Sequence, residues 1–214
     1  MTSKVKLIWA TPDAETLIAY MARVSNPSNQ DNQQTASKLL KYLVDNKHWS
    51  PFEMVNVCME IETPRDIARQ ILRHRSFSFQ EFSQRYAVAT EFDVRECRMQ
   101  DNKNRQNSLP TQDRELVNLW EKAQQDLIQH ALKVYNWGLE QGVAREVARA
   151  VLPEGNTISR MYMNGTLRSW LHYVDIRCDK ATQKEHREVA DQCRAIIYEN
   201  FPAIKEVLEE LHGT

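Results

Sequence analysis

Polar and apolar side chains alternate over residues 54–62, MVNVCMEIE. The apolar members occupy every second position: Val55, Val57, Met59 and Ile61. Because side chains two residues apart point to the same face of a strand, the segment predicts a β-strand with one buried face. Similar patterns predict strands over residues 4–9, 157–163 and 86–94.

A helix is predicted directly after that strand, in TPRDIARQILRHR. Thr63 is placed to cap it, and Pro64 suits the first helical position, where no N–H is needed. Ile67 and Ile71 lie one turn apart and form an apolar stripe. A polar face carries basic residues at the spacing of one turn and closes with two more: Arg65, Arg69, Arg73, His74 and Arg75.

Apolar positions three and four apart predict most of the remaining chain as helix. The predicted helices cover residues 13–24, 36–46, 113–140, 143–152, 167–176 and 183–200. Residues 97–113 are polar and lack periodicity, which indicates a surface loop. Helices therefore dominate over a small sheet.

The composition limits the classes of function. The chain has 214 residues, 42% of them hydrophobic, and a formal net charge of -1, which suits a single domain with one core. No apolar run approaches the roughly 20 residues of a membrane span, and the first residues lack a signal peptide's pattern, so we expect a cytoplasmic protein. The near-zero charge argues against a general nucleic-acid binder.

Common metal and cofactor motifs do not occur. The four cysteines form no CxxC pair and the six histidines have no paired ligand spacing, so no metal is expected. We expect His130, His186 and His212 to be solvated or packed in the core. Neither glycine-rich phosphate loop is present, and no GxSxG elbow supports a hydrolase. Any nucleotide would have to be held by side chains.

Residues 73–86, RHRSFSFQEFSQRY, supply suitable side chains. Glu81, Ser83 and Arg85 lie two apart, and therefore on one side if the chain is extended. Guanidinium groups bind phosphate in a bidentate manner, and aromatic rings offer a stacking surface for a base. Taken alone, however, RHR is more simply the basic end of a helix.

Two later segments carry further basic residues. Arg145 and Arg149 lie one turn apart in REVARAVLP, and TLRSWLHYVDIR contains Arg168, His172 and Arg177. In isolation, each segment is more simply a helix with a solvated face. The second has a face that we expect to be buried, formed by Trp170, Leu171 and Val174.

Together these motifs resemble the flavin-dependent thymidylate synthases. RHRSFSFQEFS fits the family signature of RHR, seven residues and serine. The segments HWSPFE, PRDIARQILRHR, REVARAVLP and LRSWLHYVDIR occur in the order found in the family. The resemblance implies a single α+β domain over residues 1–214, with a small antiparallel sheet flanked by several helices. It also implies a homotetramer with active sites shared between subunits.

The resemblance further implies the reaction. In this family NADPH reduces FAD, 5,10-methylenetetrahydrofolate gives its carbon, and dUMP becomes dTMP without a cysteine nucleophile. Arg177 resembles the arginine that stabilises an ionised uracil ring, which makes C5 a better nucleophile. Ser83 resembles a substrate positioner, and His48 resembles a histidine near the flavin and folate.

The site residues carry over motif by motif. The implied dUMP contacts are Gln70, Arg73, Glu81, Phe82, Ser83, Gln84, Arg85, Arg149 and Arg177. The implied flavin contacts are Ser50, Arg73, His74, Arg75, Glu81, Thr166, Leu167, Arg168 and His172, with Asn164 as an alternative to Thr166.

A rival hypothesis needs no catalysis. The same arginines and phenylalanines would serve a nucleotide- or RNA-binding module through phosphate contacts and base stacking. Binding of flavin would distinguish the enzyme from such a module.

Overall fold

The structure, a computed structural model, describes residues 3–89 and 91–212, with side chains up to residue 208. The strands are β1 (Lys4–Ala10), β2 (Asn56–Pro64), β3 (Ser78–Glu81), β4 (Arg98–Gln100), β5 (Ser108–Pro110) and β6 (Ile158–Thr166). Four of them form an antiparallel sheet in the order β1-β2-β6-β3, and β4 pairs with β5.

Helices surround the four-stranded sheet. They are α1 (Ala14–Ala22), α2 (Ala36–Asp45), α3 (Arg65–Ile71), α4 (Arg114–Glu140), α5 (Arg145–Ala148), α6 (Leu167–Arg177), α7 (Lys184–Asn200) and α8 (Pro202–His212). Short 3-10 turns lie at Pro27–Asn29, Ser50–Met54 and Arg149–Val151. None of the described helices combines the length and the apolar content that a membrane crossing requires.

Strand β2 is central and confirms the alternation read from the sequence. The predicted inward residues are all fully buried: Val57, Met59 and Ile61 in the strand, and Val55 directly before it. The core continues into α6, where Trp170 is fully buried and its Nε1 donates a hydrogen bond of 2.9 Å to the carbonyl of Val57. Leu171 and Val174 are buried as predicted. Strand β2 and α6 therefore form one packed unit.

The junction between β2 and α3 differs from the prediction. Strand pairing continues to Pro64, which lies opposite Ile158 of β6, and Thr63 belongs to the strand. The Thr63 hydroxyl forms a hydrogen bond with Ser3 Oγ, and α3 begins at Arg65 without a side-chain cap. The prediction that Thr63 caps the helix was therefore wrong, because sheet pairing holds that residue in an extended conformation.

Four other segments also differ. The expected strand at 86–94 is reduced to an isolated bridge between Phe92 and Thr157. The helix expected at 143–152 is only α5 and a 3-10 turn. The surface loop at 97–113 contains the β4–β5 hairpin. Helix α8 was not predicted; Glu15 of α1 accepts hydrogen bonds from the first free N–H groups of α8, at Ala203 and Ile204.

Candidate active site

The RHR residues lie in the turn between α3 and β3. The helix ends at Ile71, so Arg73, His74 and Arg75 are beyond the helix instead of closing it. The turn is tight, since His74 N donates to the carbonyl of Ile71 at 3.0 Å. Arg73 and Arg75 are exposed, whereas His74 is half-buried against α6. This turn places His74 close to the end of α6.

His74 and Arg177 are joined directly. Arg177 Nε donates to His74 Nε2 over 2.9 Å, so the imidazole must be neutral and carry its proton on Nδ1. Burial lowers the pKa of His74 to about 4, and the charges of Arg177 and His172 add to the effect. The bond holds the guanidinium by its inner nitrogen, Nε, and does not use the two Nη groups.

Gln70 and two buried residues complete this group. His186 is fully buried. Its Nδ1 lies 3.3 Å from Gln70 Oε1, and its Nε2 lies 3.1 Å from the Tyr173 hydroxyl. The ring of Tyr173 meets that of His74 edge-on, with centroids 4.9 Å apart. We name these five residues the Arg177 cluster: Gln70, His74, Tyr173, Arg177 and His186. Tyr173 and His186 were not predicted as site residues.

A second group surrounds Glu81. Its Oε2 lies 3.1 Å from Arg69 Nη1, and its Oε1 lies 3.5 Å from Arg65 Nη1. Oε1 also accepts a hydrogen bond of 2.7 Å from Ser159 Oγ. Arg65 is only 9% exposed, although the sequence placed it on the polar face of the helix. Burial lowers the pKa of the Arg65 guanidinium, and the positive charge of Arg149 adds to the lowering. The negative charge of Glu81 acts in the opposite direction and raises it. Glu81 and Arg149 thus both lie close enough to Arg65 to act on its charge.

The extended row predicted from Glu81 to Arg85 ends early. The chain turns after Ser83, where Tyr86 N donates to the Ser83 carbonyl at 3.1 Å. Arg85 is exposed and pairs with Glu146 at 3.2 Å. Of the other predicted contacts here, Gln84 is buried and Phe82 is half-buried. Among the described residues, no hydrogen bond or ion pair joins this turn to the Arg177 cluster.

A cavity of about 960 Å³ lies beside α6. Three of the predicted flavin residues line it: Thr166, Arg168 and His172. Thr166 caps α6 by accepting a hydrogen bond from Ser169 N, and Arg168 pairs with Glu53. Leu167 is fully buried, so its side chain supports the helix instead of facing the cavity.

The lining of the cavity is chemically mixed. Hydroxyl groups come from Ser76, Thr166 and Ser169. The charged lining residues are positive at Lys47, Arg168 and Arg194 and negative at Asp45, Glu53, Asp175 and Asp179. Trp49 and His172 add planar rings. His48 and Ser50 are exposed and flank Trp49 in sequence, with the ring of His48 edge-on to Tyr42 at 5.8 Å. A ligand with polar groups and a planar ring fits this lining.

Three of the four cysteines, Cys58, Cys178 and Cys193, are not set up as nucleophiles. Burial raises the pKa of Cys178 to about 12 and raises the pKa values of Cys58 and Cys193 as well. A thiol with a raised pKa is a poor nucleophile, because the thiolate is the reactive form. No cluster of three or more metal-binding side chains occurs within the described part of the chain.

Comparison with known sequences places these features among characterised proteins. Residues 6–203 match the family model described as thymidylate synthase complementing protein. The chain is 49% identical over 197 residues to a probable flavin-dependent thymidylate synthase of Paramecium bursaria Chlorella virus 1, covering 92% of this chain and 91% of the relative. It is 50% identical over 195 residues to a flavin-dependent thymidylate synthase of a Synechocystis species, covering 91% and 89%.

A solved structure shares the fold. A UMP/dUMP methylase, PolB, from Streptomyces cacaoi, bound with 5-Br dUMP, has a TM-score of 0.84 and 26% identity. The similarity covers 97% of this chain and 95% of the methylase. The predicted α+β class, with a small antiparallel sheet flanked by helices, is confirmed.

Proposed function

The chain belongs to the flavin-dependent thymidylate synthase family, and on this premise we propose that it methylates dUMP to dTMP with FAD as its redox cofactor. The observation that carries the proposal is the hydrogen bond between Arg177 and His74, two residues that lie in separate family motifs. The proposed carbon donor is 5,10-methylenetetrahydrofolate and the proposed reductant is NADPH. The products are dTMP, tetrahydrofolate and NADP+.

Arg177 would act on the uracil ring. Its guanidinium carries a positive charge and is held by His74 through Nε. The two Nη groups can then stabilise negative charge on N3 and the adjacent carbonyl, which raises electron density at C5. C5 can attack the methylene carbon without an enzyme nucleophile, in agreement with the raised pKa values of the buried thiols.

The cavity beside α6 suits the flavin. When bound, reduced FAD supplies the hydride that completes the methyl group. Arg168 and the hydroxyl groups of Thr166, Ser169 and Ser76 would bind its polar parts, and Trp49 and His172 would contact a planar ring. Arg73 and Arg75 are exposed and lie shortly before Ser76 in sequence, and they would bind the phosphates of the flavin. His48 and Ser50, which flank Trp49 of the lining, would contact the flavin as well.

We propose a homotetramer with shared sites. Helix α4 exposes large apolar side chains at helical spacing: Leu119, Trp120, Leu127, Val134 and Trp137. Such a surface favours burial against another copy of the chain. Ser83, Arg85 and Arg149 would then bind the phosphate of a dUMP whose uracil ring lies on the Arg177 of a neighbouring subunit.

The first experiment is reconstitution with FAD, gel filtration, and assay of dTMP formation with dUMP, NADPH and 5,10-methylenetetrahydrofolate. The expected result is a retained flavin spectrum and formation of dTMP. A protein that retains no flavin and forms no dTMP would overturn the proposal and favour the RNA-binding module.

A further inference from the structure

His186 has no role in the motifs that identify the family, yet it is fully buried at the centre of the Arg177 cluster. Its immediate sequence context, KEHRE, is highly charged. Burial lowers the pKa of His186 to about 3, with further lowering by Arg177 and His74, so the ring is neutral. A neutral imidazole donates from one nitrogen and accepts at the other, and its neighbours decide which.

A continuous line of hydrogen bonds runs through His186. The Tyr173 hydroxyl lies 3.1 Å from His186 Nε2, and His186 Nδ1 lies 3.3 Å from Gln70 Oε1. Gln70 Nε2 donates to Gln183 Oε1 at 2.8 Å, and Gln183 Nε2 donates to Glu185 Oε2 at 3.0 Å. We name this line the Tyr173–Glu185 chain. It connects α6, α7 and α3.

Glu185 sets the donor-to-acceptor direction of every hydrogen bond in the Tyr173–Glu185 chain. Burial tends to raise its pKa, but hydrogen bonds from Gln183 and Arg98 and the charge of Arg95 lower it overall. Arg98 Nη2 lies 2.6 Å and Arg95 Nη1 lies 3.2 Å from its carboxylate. An ionised carboxylate only accepts hydrogen bonds, so Gln183 must present its amide nitrogen to Glu185 and its oxygen to Gln70.

The same reasoning fixes the orientations of Gln70 and His186. Gln70 must present its nitrogen to Gln183, which leaves its oxygen for His186. His186 must then donate from Nδ1, and its Nε2 must accept from the Tyr173 hydroxyl. Burial raises the pKa of Tyr173, so that hydroxyl keeps its proton. Each amide and imidazole orientation therefore follows from the charge on Glu185.

We propose that His186 is a positioning residue that, with Tyr173, locks the Gln70 side chain as a hydrogen-bond donor to an oxygen of the bound nucleotide. Gln70 Oε1 is occupied by His186 and one Nε2 proton by Gln183, so one N–H remains for a ligand. The inference rests on the proposed function, because Gln70 is a proposed dUMP contact. It adds His186 to that site because of its contacts with Gln70 and Tyr173 in this protein.

The test compares three variants of the FAD-loaded protein by the Kd for dUMP, the KM for dUMP and kcat. His186→Leu removes both ring nitrogens at similar volume, and we expect the Kd and KM for dUMP to rise about tenfold, as for the loss of one positioned hydrogen bond, with a smaller change in kcat. His186→Asn keeps an N–H donor near Nδ1 and should restore part of the affinity. Val189→Ala is the packing control, since Val189 is fully buried on the same helix; it should lower Tm and leave the Kd unchanged.

A folded His186→Leu protein with unchanged Kd and KM for dUMP would overturn the proposal, and so would an equal loss of affinity in Val189→Ala.

Nitrogen NMR of histidine-labelled protein gives a second readout that does not depend on activity. The expected signal is a neutral His186 protonated on Nδ1, with Tyr173→Phe weakening that preference. A His186 ring protonated on Nε2 would contradict the proposed direction of the hydrogen bonds, even if the enzyme is active. Failure of the unaltered protein to bind dUMP would instead disprove the proposed function, while the NMR result would still decide the direction of the chain.

Discussion

The Nε of Arg177 and the Nε2 of His74 lie 2.9 Å apart in a hydrogen bond that joins the last turn of α6 to the turn after α3. The imidazole has to stay neutral to accept this bond, and its burial ensures that it does. The orientation of the proposed uracil-activating arginine thus depends on a histidine from a different motif.

Replacement of Arg177 by alanine should reduce kcat for dTMP formation by about 100-fold or more, the usual effect of removing a preorganised group that stabilises transition-state charge. FAD retention should largely survive, because Arg177 does not line the cavity beside α6. Steady-state assay together with the flavin spectrum after gel filtration measures both. The matched control is Arg114→Ala, an exposed arginine at the start of α4. Intact turnover in Arg177→Ala would show that uracil activation lies elsewhere.

Replacement of each cysteine by alanine, one at a time, should leave kcat within about tenfold, or about 1.4 kcal/mol in the barrier. The reason is that burial raises the pKa values of Cys58, Cys178 and Cys193, which disfavours a thiolate. The assay is dTMP formation on variants whose circular dichroism matches the unaltered protein. Complete loss of activity in one folded variant would support a thiolate mechanism.

Acidification should destabilise the fold between pH 6.5 and about 5. The folded-state pKa values of His74 and His186 are lowered from 6.5 to about 4 and about 3. Below pH 6.5 the unfolded chain therefore binds protons that the folded chain does not, and the free energy of unfolding falls as pH falls. The slope is at most about 1.4 kcal/mol per pH unit for each histidine.

Urea unfolding at a series of pH values measures this slope, with His186→Leu as the comparison. That variant should lose part of the pH dependence in this window. An equal slope in both proteins would mean that His186 does not remain neutral on folding.

Gly165→Ala should destabilise the protein by about 1–3 kcal/mol, as overpacking of a core does. A methyl group at this position in β6 would lie 2.4 Å from Cδ1 of Phe77, whose ring packs 4.9 Å from that of Trp170. Gly155→Ala is the control, because a methyl group there has no atom within 4 Å. Thermal unfolding compares the two. Equal Tm values would show that Phe77 moves aside without cost.

Several features were predictable from the sequence because the physical cause is local. The alternation of β2 and the periodicity of α1, α2, α4, α6 and α7 arise from which side chains can share a face. The motifs that carry the family resemblance are short and continuous, so they identified the family before any contact was known. The basic segment from Arg73 to Arg75 was predicted as part of the candidate site, and its His74 contacts Arg177.

Other features required distant parts of the chain to meet. Thr63 was expected at a helix cap, but its pairing with Ser159 across the sheet keeps it in the strand. Arg65 was expected on the polar face of its helix, but it is buried beside Glu81 of β3. Neither partner could be read from the local pattern, since both lie far along the chain.

The sequence by itself determined the family, the main periodic elements and the residue types of the site. Only the tertiary structure decided that His74 orients Arg177, and that Glu185 fixes the direction of the bonds through His186 and Gln70. The physical reason is that a side chain's protonation and orientation depend on its burial and on the donors and acceptors around it. Those neighbours come from three helices that meet only in the folded chain.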